Sequence, residues 1–152
     1  MDKLDHRILK KLQDEFPLST KPYDILAGKL QITSEQLWNR VQGMLQNGLI
    51  RRMGASLDSS KLGFSGTLAA VSIPADRVEQ AARIIGELPE VTHSYLRNDE
   101  FNIWFTIIAP DDDRVNCVLD HIRSGLCLKQ SQILNLPAKR LFKLDGRFDI
   151  TL

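Results

Sequence analysis

The sequence predicts an α+β chain in two modules. An N-terminal winged helix-turn-helix occupies residues 1–55, and a ferredoxin-like β-α-β-β-α-β domain occupies residues 66–152, with a wing and linker at 56–65. Three observations carry this. Apolar residues recur every three or four positions up to Met44, the period of amphipathic helices. From Gly66 onward, stretches of period two alternate with two further helical stretches. Between the two regimes lies "RRMGASLDSSKLGFSG", rich in small and turn-forming residues.

In "LDHRILKKLQDEF", Leu4, Ile8, Leu12 and Phe16 form one apolar stripe of a first helix. Pro17 and Pro22 break the chain, and "YDILAGKLQI" gives a short second helix with Ile25, Leu26 and Leu30 inward. The third helix opens at the capping residues Thr33 or Ser34, buries Leu37, Val41, Met44 and Leu45, and stops at Asn47-Gly48. Leu49-Ile50 and the small residues after Met53 are expected to form a two-stranded wing.

In the second module "GTLAAVSI" is a strand ended by Pro74, and "DRVEQAARIIGEL" is a helix resting on Val78, Ala81, Ala82, Ile85 and Leu88. Two strands follow, "VTHSYLR" and "FNIWFTIIA". With Asn98-Asp99 as a two-residue loop, Arg97 faces Glu100, Tyr95 faces Asn102 and His93 faces Trp104. Side-chain alternation then gathers those six residues on one face and puts Phe101, Ile103, Phe105 and Ile107 on the other, toward the helices. "DDDRVNCVLDHIRSG" is a helix with three aspartates at the positive end of its dipole. "QILNLPAKRLFKL" is the last strand, and Pro137 confines it to an edge or a bulge.

Apolar residues make up 43% of the chain and charged residues 26%, as in soluble globular proteins, and the net charge of +1 gives no global attraction to nucleic acid or membrane. Cys117 and Cys127 have no metal-site or redox spacing and read as reduced thiols. The N-terminus is charged from its second residue, and no apolar run nears the roughly 18 residues of a membrane span, so the expected location is cytoplasmic.

The hairpin holds the residues most suited to chemistry. His93 supplies an imidazole, Arg97 a guanidinium fork for carboxylates and Trp104 a broad aromatic surface, a set that suits a flat, acidic ligand. The plainer accounts are a hydrogen-bonded interface histidine, an Arg97–Glu100 ion pair and a packing tryptophan. Arg51 and Arg52 follow the third helix, where such a pair normally contacts phosphate. The helix itself is a poor DNA reader. Across residues 33–47 Arg40 is balanced by Glu35, leaving Gln36, Asn39 and Gln42 to touch bases, and nine Lys/Arg against six Asp/Glu give residues 1–55 a net +3. DNA binding is therefore expected to be absent or weak. Lys139, Arg140 and Lys143 read as a solvated strand end, and His6 and His121 as surface or satisfied residues. The sequence contains no phosphate-cradling glycine loop, metal-binding triad or nucleophile motif.

End to end the chain resembles the Lrp/AsnC family, through "LDHRILKKLQDEFPLS", "LAGKLQITSEQLWNRVQGMLQNGLIRRMG" and "LDSSKLGF" and through the order of elements in the second half. "LIRRMGA" and "HSYLRNDEFNIWFT" resemble more narrowly the siroheme decarboxylases, an Lrp-like group of alternative haem synthesis. His93, Tyr95, Arg97, Asn102, Trp104 and Phe105 match that group's hairpin pattern; Phe101 replaces a tyrosine, and Asp99 stands where many members carry a second histidine.

The resemblance implies conversion of siroheme to didecarboxysiroheme, two ring acetates becoming methyl groups with loss of carbon dioxide. It implies His93, Tyr95 and Arg97 as catalytic residues and Arg51, Arg52, Asn102 and Trp104 as substrate-binding ones. His93 is either the general acid or a ligand of the iron. No separate cofactor is implied: the iron tetrapyrrole is substrate or product. The missing histidine implies a heterodimer with a homologous Lrp-like subunit, the competing form being a homodimer that works without it. A DNA-binding regulator sensing a small ligand or haem, and a non-catalytic partner subunit, are the alternative functions.

Overall fold

The protein, described from a computed structural model over residues 1–150, forms two compact units. The first comprises residues 1–55 and 143–150, the second residues 56–142. The sequence reading carried the second domain to the C-terminus. Instead the chain leaves the sheet at Pro137, and residues 143–150 join the first unit, where the backbone of Phe148 bonds to the Gln13 side chain.

In the first unit, helix α1 (Lys3–Asp14) begins with a capping box: the Asp2 carboxylate accepts the N–H groups of Leu4 and Asp5, and Asp5 accepts that of Asp2. Helix α2 (Pro22–Leu30) opens on proline, whose missing N–H costs nothing in the first turn. It buries Leu26, Ala27 and Leu30, so the neighbouring Ile25, expected inward, points away and is 41% exposed. Helix α3 (Ser34–Gln46) is capped reciprocally by Thr33 and Gln36, buries Leu37, Val41 and Met44 with Leu45 half-buried, and ends as Gly48 turns left-handed at φ 78°. These side chains close on Ile8 of α1. Phe16 lies beyond α1 and meets Tyr23 edge-on instead of extending the stripe.

The wing does not form. Among the described residues no strand lies between α3 and residue 65. Asp58 accepts hydrogen bonds from the Ser60 hydroxyl and the N–H groups of Ser60 and Lys61, and the chain closes into a single 3-10 turn at Ser60–Leu62. That local capture competes with any strand ladder.

The second unit is a four-stranded antiparallel sheet in the order β2-β3-β1-β4, with β1 at Ser65–Val71, β2 at Val91–Leu96, β3 at Ile103–Ala109 and β4 at Ile133–Pro137. Helices α4 (Val78–Gly86) and α5 (Asp112–Gly125) cover one face, as the β-α-β-β-α-β order requires. Strand β3 alternates buried and half-buried along its length, and Ile103, Phe105 and Ile107 meet Ala81 and Ile85 of α4 and Val115, Val118 and Ile122 of α5. Asp111 caps α5 by accepting the Arg114 N–H. Strand β4 is an edge strand, and Pro137 ends it.

The hairpin register is shifted by two residues from the expected one. Tyr95 faces Trp104 and His93 faces Thr106, and the Arg97 N–H bonds to the Asn102 carbonyl, leaving residues 98–101 as the turn. An even shift keeps the paired strand residues on their expected faces, while Glu100 and Phe101 fall in the turn. The longer turn follows from Asn102, whose amide group accepts the Ile73 N–H at 3.0 Å and donates to the Ile73 carbonyl at 2.7 Å, while its own N–H bonds to the Val71 carbonyl. Asn102 thus ties the hairpin to the end of β1. Replacing Asn102 with Ala leaves both Ile73 groups without this partner in a half-buried position. The expected cost is about 2 kcal/mol, read as a lower urea midpoint at unchanged slope.

Candidate active site

Strand alternation places residues two apart on the same face, yet Val91 packs against the core while His93 is exposed. A β-bulge reconciles them. Val91 pairs with Ile107 and His93 pairs with Thr106, so Thr92 is an extra residue in β2. The bulge lets Val91 face the helices and aims His93 at the open face of the sheet. Thr92 is the residue of this cluster that the sequence reading did not single out. Its signal was a conflict of parity, an apolar Val91 in step with polar His93 and Tyr95.

The open face then carries a connected cluster. His93 Nδ1 lies 3.0 Å from the Thr92 hydroxyl, which makes a long bond of 3.4 Å to the Thr106 carbonyl. A hydroxyl that donates to that carbonyl has its oxygen available for an Nδ1 proton, and the tautomer that uses it keeps Nε2 free. The His93 and Tyr95 rings stack with centroids 6.4 Å apart at 15°. Tyr95, 58% exposed, sits opposite Trp104, and the Arg97 guanidinium lies 5.5 Å from the Trp104 ring centre rather than on Glu100. The Trp104 indole N–H donates to the Phe101 carbonyl at 2.6 Å, which fixes the ring and leaves Arg97 its face.

Of the predicted residues, His93, Tyr95, Arg97 and Trp104 come together. Asn102 does not join them as a ligand group, because both ends of its amide are committed to Ile73. Asp99 is exposed in the turn. Beyond the cluster the same face becomes apolar: Leu68 of β1, opposite Thr106, and Leu136 of β4, opposite Leu68, are 43% and 44% exposed.

Arg51 and Arg52 belong to the first unit. They line a pocket of about 290 Å³ whose other walls include Leu9, Leu12, Leu49, Ile50 and Phe148. Neither guanidinium has an ion-pair partner among the described residues. Arg40, in contrast, is held by Asp2 at 2.7 Å and Asp5 at 2.6 Å. The Asp2 carboxyl is held below its ordinary range by the Asp5 N–H first and by Arg40 second. Helix α3 thus offers no unpaired cation on its surface. Among the described residues no three metal-ligating side chains converge, and no helix is long and apolar enough to cross a membrane.

Residues 5–51 match the siroheme decarboxylase NirDL-like helix-turn-helix domain, and residues 61–143 match the AsnC-like ligand binding domain. The chain is 40% identical over 151 residues to the siroheme decarboxylase alpha subunit of Desulfovibrio desulfuricans, covering 98% of this chain and 86% of that one. It is 42% identical over 153 residues to the alpha subunit of Nitratidesulfovibrio vulgaris, covering 98% and 84%. Among solved structures it superposes on the siroheme decarboxylase NirDL in co-complex with an iron-uroporphyrin III analogue, with a TM-score of 0.67 and 27% identity over 88% of this chain and 44% of that one.

The Thr92 contact makes a specific prediction for the His93 ring. In nitrogen-15 NMR, the neutral imidazole is expected to carry its proton on Nδ1. Thr92→Val should shift it toward the Nε2 tautomer, and Thr92→Ser should preserve the native pattern. A native ring protonated on Nε2 rules out the assigned role of Thr92.

Proposed function

The chain belongs to the siroheme decarboxylase family as one of its subunits, and we propose that the hairpin cluster is where it meets the reacting acetate of an iron tetrapyrrole. The observation that carries this reading is the assembly on one open face of an imidazole with a free Nε2, a tyrosine hydroxyl and a guanidinium over an indole.

The reaction replaces the carbon–carboxylate bond of a ring acetate by a carbon–hydrogen bond. Carbon dioxide leaves, its bonding electron pair passes into the attached pyrrole ring, and one proton ends on the new methyl group. A proton donor beside the ring lowers the barrier by accepting that electron density as it develops. His93, protonated, donates from Nε2 while Nδ1–H remains on Thr92. Arg97 and Tyr95 hold the carboxylate in place until it is lost, and removing water from that carboxylate favours the loss. Trp104 offers its face to the flat macrocycle. Arg51 and Arg52 hold other carboxylates of the substrate.

The apolar half of the sheet face, with Leu68 and Leu136 exposed, is suited to the sheet of a second, homologous subunit. We infer a heterodimer in which that subunit supplies the acid–base or iron-binding histidine that Asp99 replaces here. The iron tetrapyrrole is the ligand of the assembly, with His93 acting as acid and no further cofactor required.

Anaerobic incubation of the purified chain with siroheme, alone and with its homologous subunit, followed by mass analysis, tests the reading. Loss of two carbon dioxide units is expected from the pair. His93→Ala should lower turnover by about 10²–10⁴-fold, the usual range for a general acid. Undiminished turnover of the His93→Ala pair excludes His93 from the chemistry.

Duplex DNA separates this enzyme from a transcription regulator of the same architecture. With Arg40 sequestered by Asp2 and Asp5, binding is expected to be no tighter than the roughly 10⁻⁴–10⁻⁶ M of non-specific contacts, without sequence preference. Fluorescence anisotropy across a salt series measures this. Nanomolar, sequence-selective binding would instead make the chain a regulator.

A further inference from the structure

The Arg51–Arg52 pocket is built from two distant parts of the chain. Helix α1 and the segment after α3 form its floor, and Phe148 and Ile150 of the C-terminal segment form a wall. The segment is held there by an amide clamp: Gln13 Nε2 donates to the Phe148 carbonyl at 2.8 Å, and the Phe148 N–H donates to Gln13 Oε1 at 3.3 Å. A side-chain amide paired with both backbone groups of one residue imitates a strand bridge. It fixes the segment's position without depending on its side chains. Next to the clamp, Arg147 is folded back onto Asp145, which is held down to about 2 by the Arg147 side chain first and its N–H second.

The lining defines the ligand class. The pocket combines apolar walls with two guanidiniums that have no ion-pair partner among the described residues, and it leaves Leu49 and Phe148 exposed at 47% and 72%. Such a surface is completed by a group with an apolar body and carboxylate arms. At about 290 Å³ it lies at the small end of ligand pockets, the size of a ring with its acid side chains rather than a whole macrocycle.

We propose that residues 143–150 are a strap, latched by Gln13, that closes the Arg51–Arg52 pocket around an acid-bearing edge of the tetrapyrrole. This rests on the tetrapyrrole reading above and adds to it a closing element and a positioning residue. Gln13 acts through the strap and touches no reacting atom.

The test uses the full chain with its homologous subunit and iron uroporphyrin as the probe. Affinity is followed by the absorbance of the bound tetrapyrrole, and strap closure by the rate of tryptic cleavage after Arg147. Saturating probe is expected to slow that cleavage five- to tenfold. Gln13→Ala, and separately Gln13→Glu, which cannot donate to the Phe148 carbonyl, should each remove the protection and weaken binding about fivefold. Arg51→Ala should weaken binding about tenfold. Cleavage that is indifferent to bound probe, or Gln13 variants that bind as the native chain does, overturns the strap. The two readings fail separately. Siroheme conversion that persists after cleavage at Arg147 removes the strap and leaves the decarboxylase standing. Strap-dependent binding without conversion does the reverse.

Discussion

Strand geometry sets the constraint on which the hairpin depends. In a regular β2 strand, Val91, His93 and Tyr95 would share one face, and that face would have to be both the core and the site. Turning His93 inward would bury an imidazole among Ile107, Val118 and their neighbours, whereas turning Val91 outward would remove an apolar contact from the core. The extra residue at Thr92 removes the conflict. A bulge leaves a ladder position unpaired, and here the Thr92 hydroxyl recovers part of that loss through the Thr106 carbonyl. The same hydroxyl meets His93 Nδ1, so the irregularity that aims the ring also orients it. The Tyr95 stack and the Tyr95–Trp104 pair lie on the face that this one residue selects.

The far end of the hairpin is fixed by a different device. Asn102 spends its amide on Ile73 and Trp104 its indole N–H on Phe101, so two polar residues of the motif close the turn and anchor it to β1. Phe105, also part of the motif, is 1% exposed and belongs to the core. A pattern that reads as one chemical signature therefore divides into two jobs. Asn102 and Phe105 build the platform, while His93, Tyr95 and Arg97 stand on it, with Trp104 serving both. A motif of this kind reports a shared hairpin as strongly as it reports shared chemistry.

The elements with unambiguous periodicity and caps were legible in the sequence. The α3 helix, with Thr33 before it and Asn47-Gly48 after it, runs as its signals indicate. The alternation of β3 also settled which side faced the helices, so Trp104 and Phe105 fell on opposite sides as expected. Less legible was whatever depends on a single side chain's choice of backbone partner. Asp58 closes a turn within the predicted wing and linker, and Asn102 lengthened the hairpin loop by reaching Ile73. Periodicity is blind to both, because each bond joins a polar side chain to a backbone group that the pattern treats as already paired. The C-terminal segment was misassigned for a similar reason. The last strand, read over residues 132–144, ends at Pro137, and the Gln13 amide that meets Phe148 beyond it lies 135 positions away.

The arginines of the first unit differ in how far they are already committed. A phosphate contact gains free energy only from a cation that is not already satisfied, since the ion pair broken must be set against the one formed. Arg40, the cation of α3, has two carboxylates within 2.7 Å, supplied by the residues that also cap α1. Releasing it for DNA would cost an ion pair and weaken a helix start at once. Arg51 and Arg52 have no such commitment, and the surface beside them is apolar. Polymeric phosphate offers nothing to cover Leu49, Ile50 or Phe148, whereas a carboxylate on an apolar ring satisfies both the charge and the exposed area. Arg51 and Arg52 differ from the unit's other cations in standing beside this apolar lining.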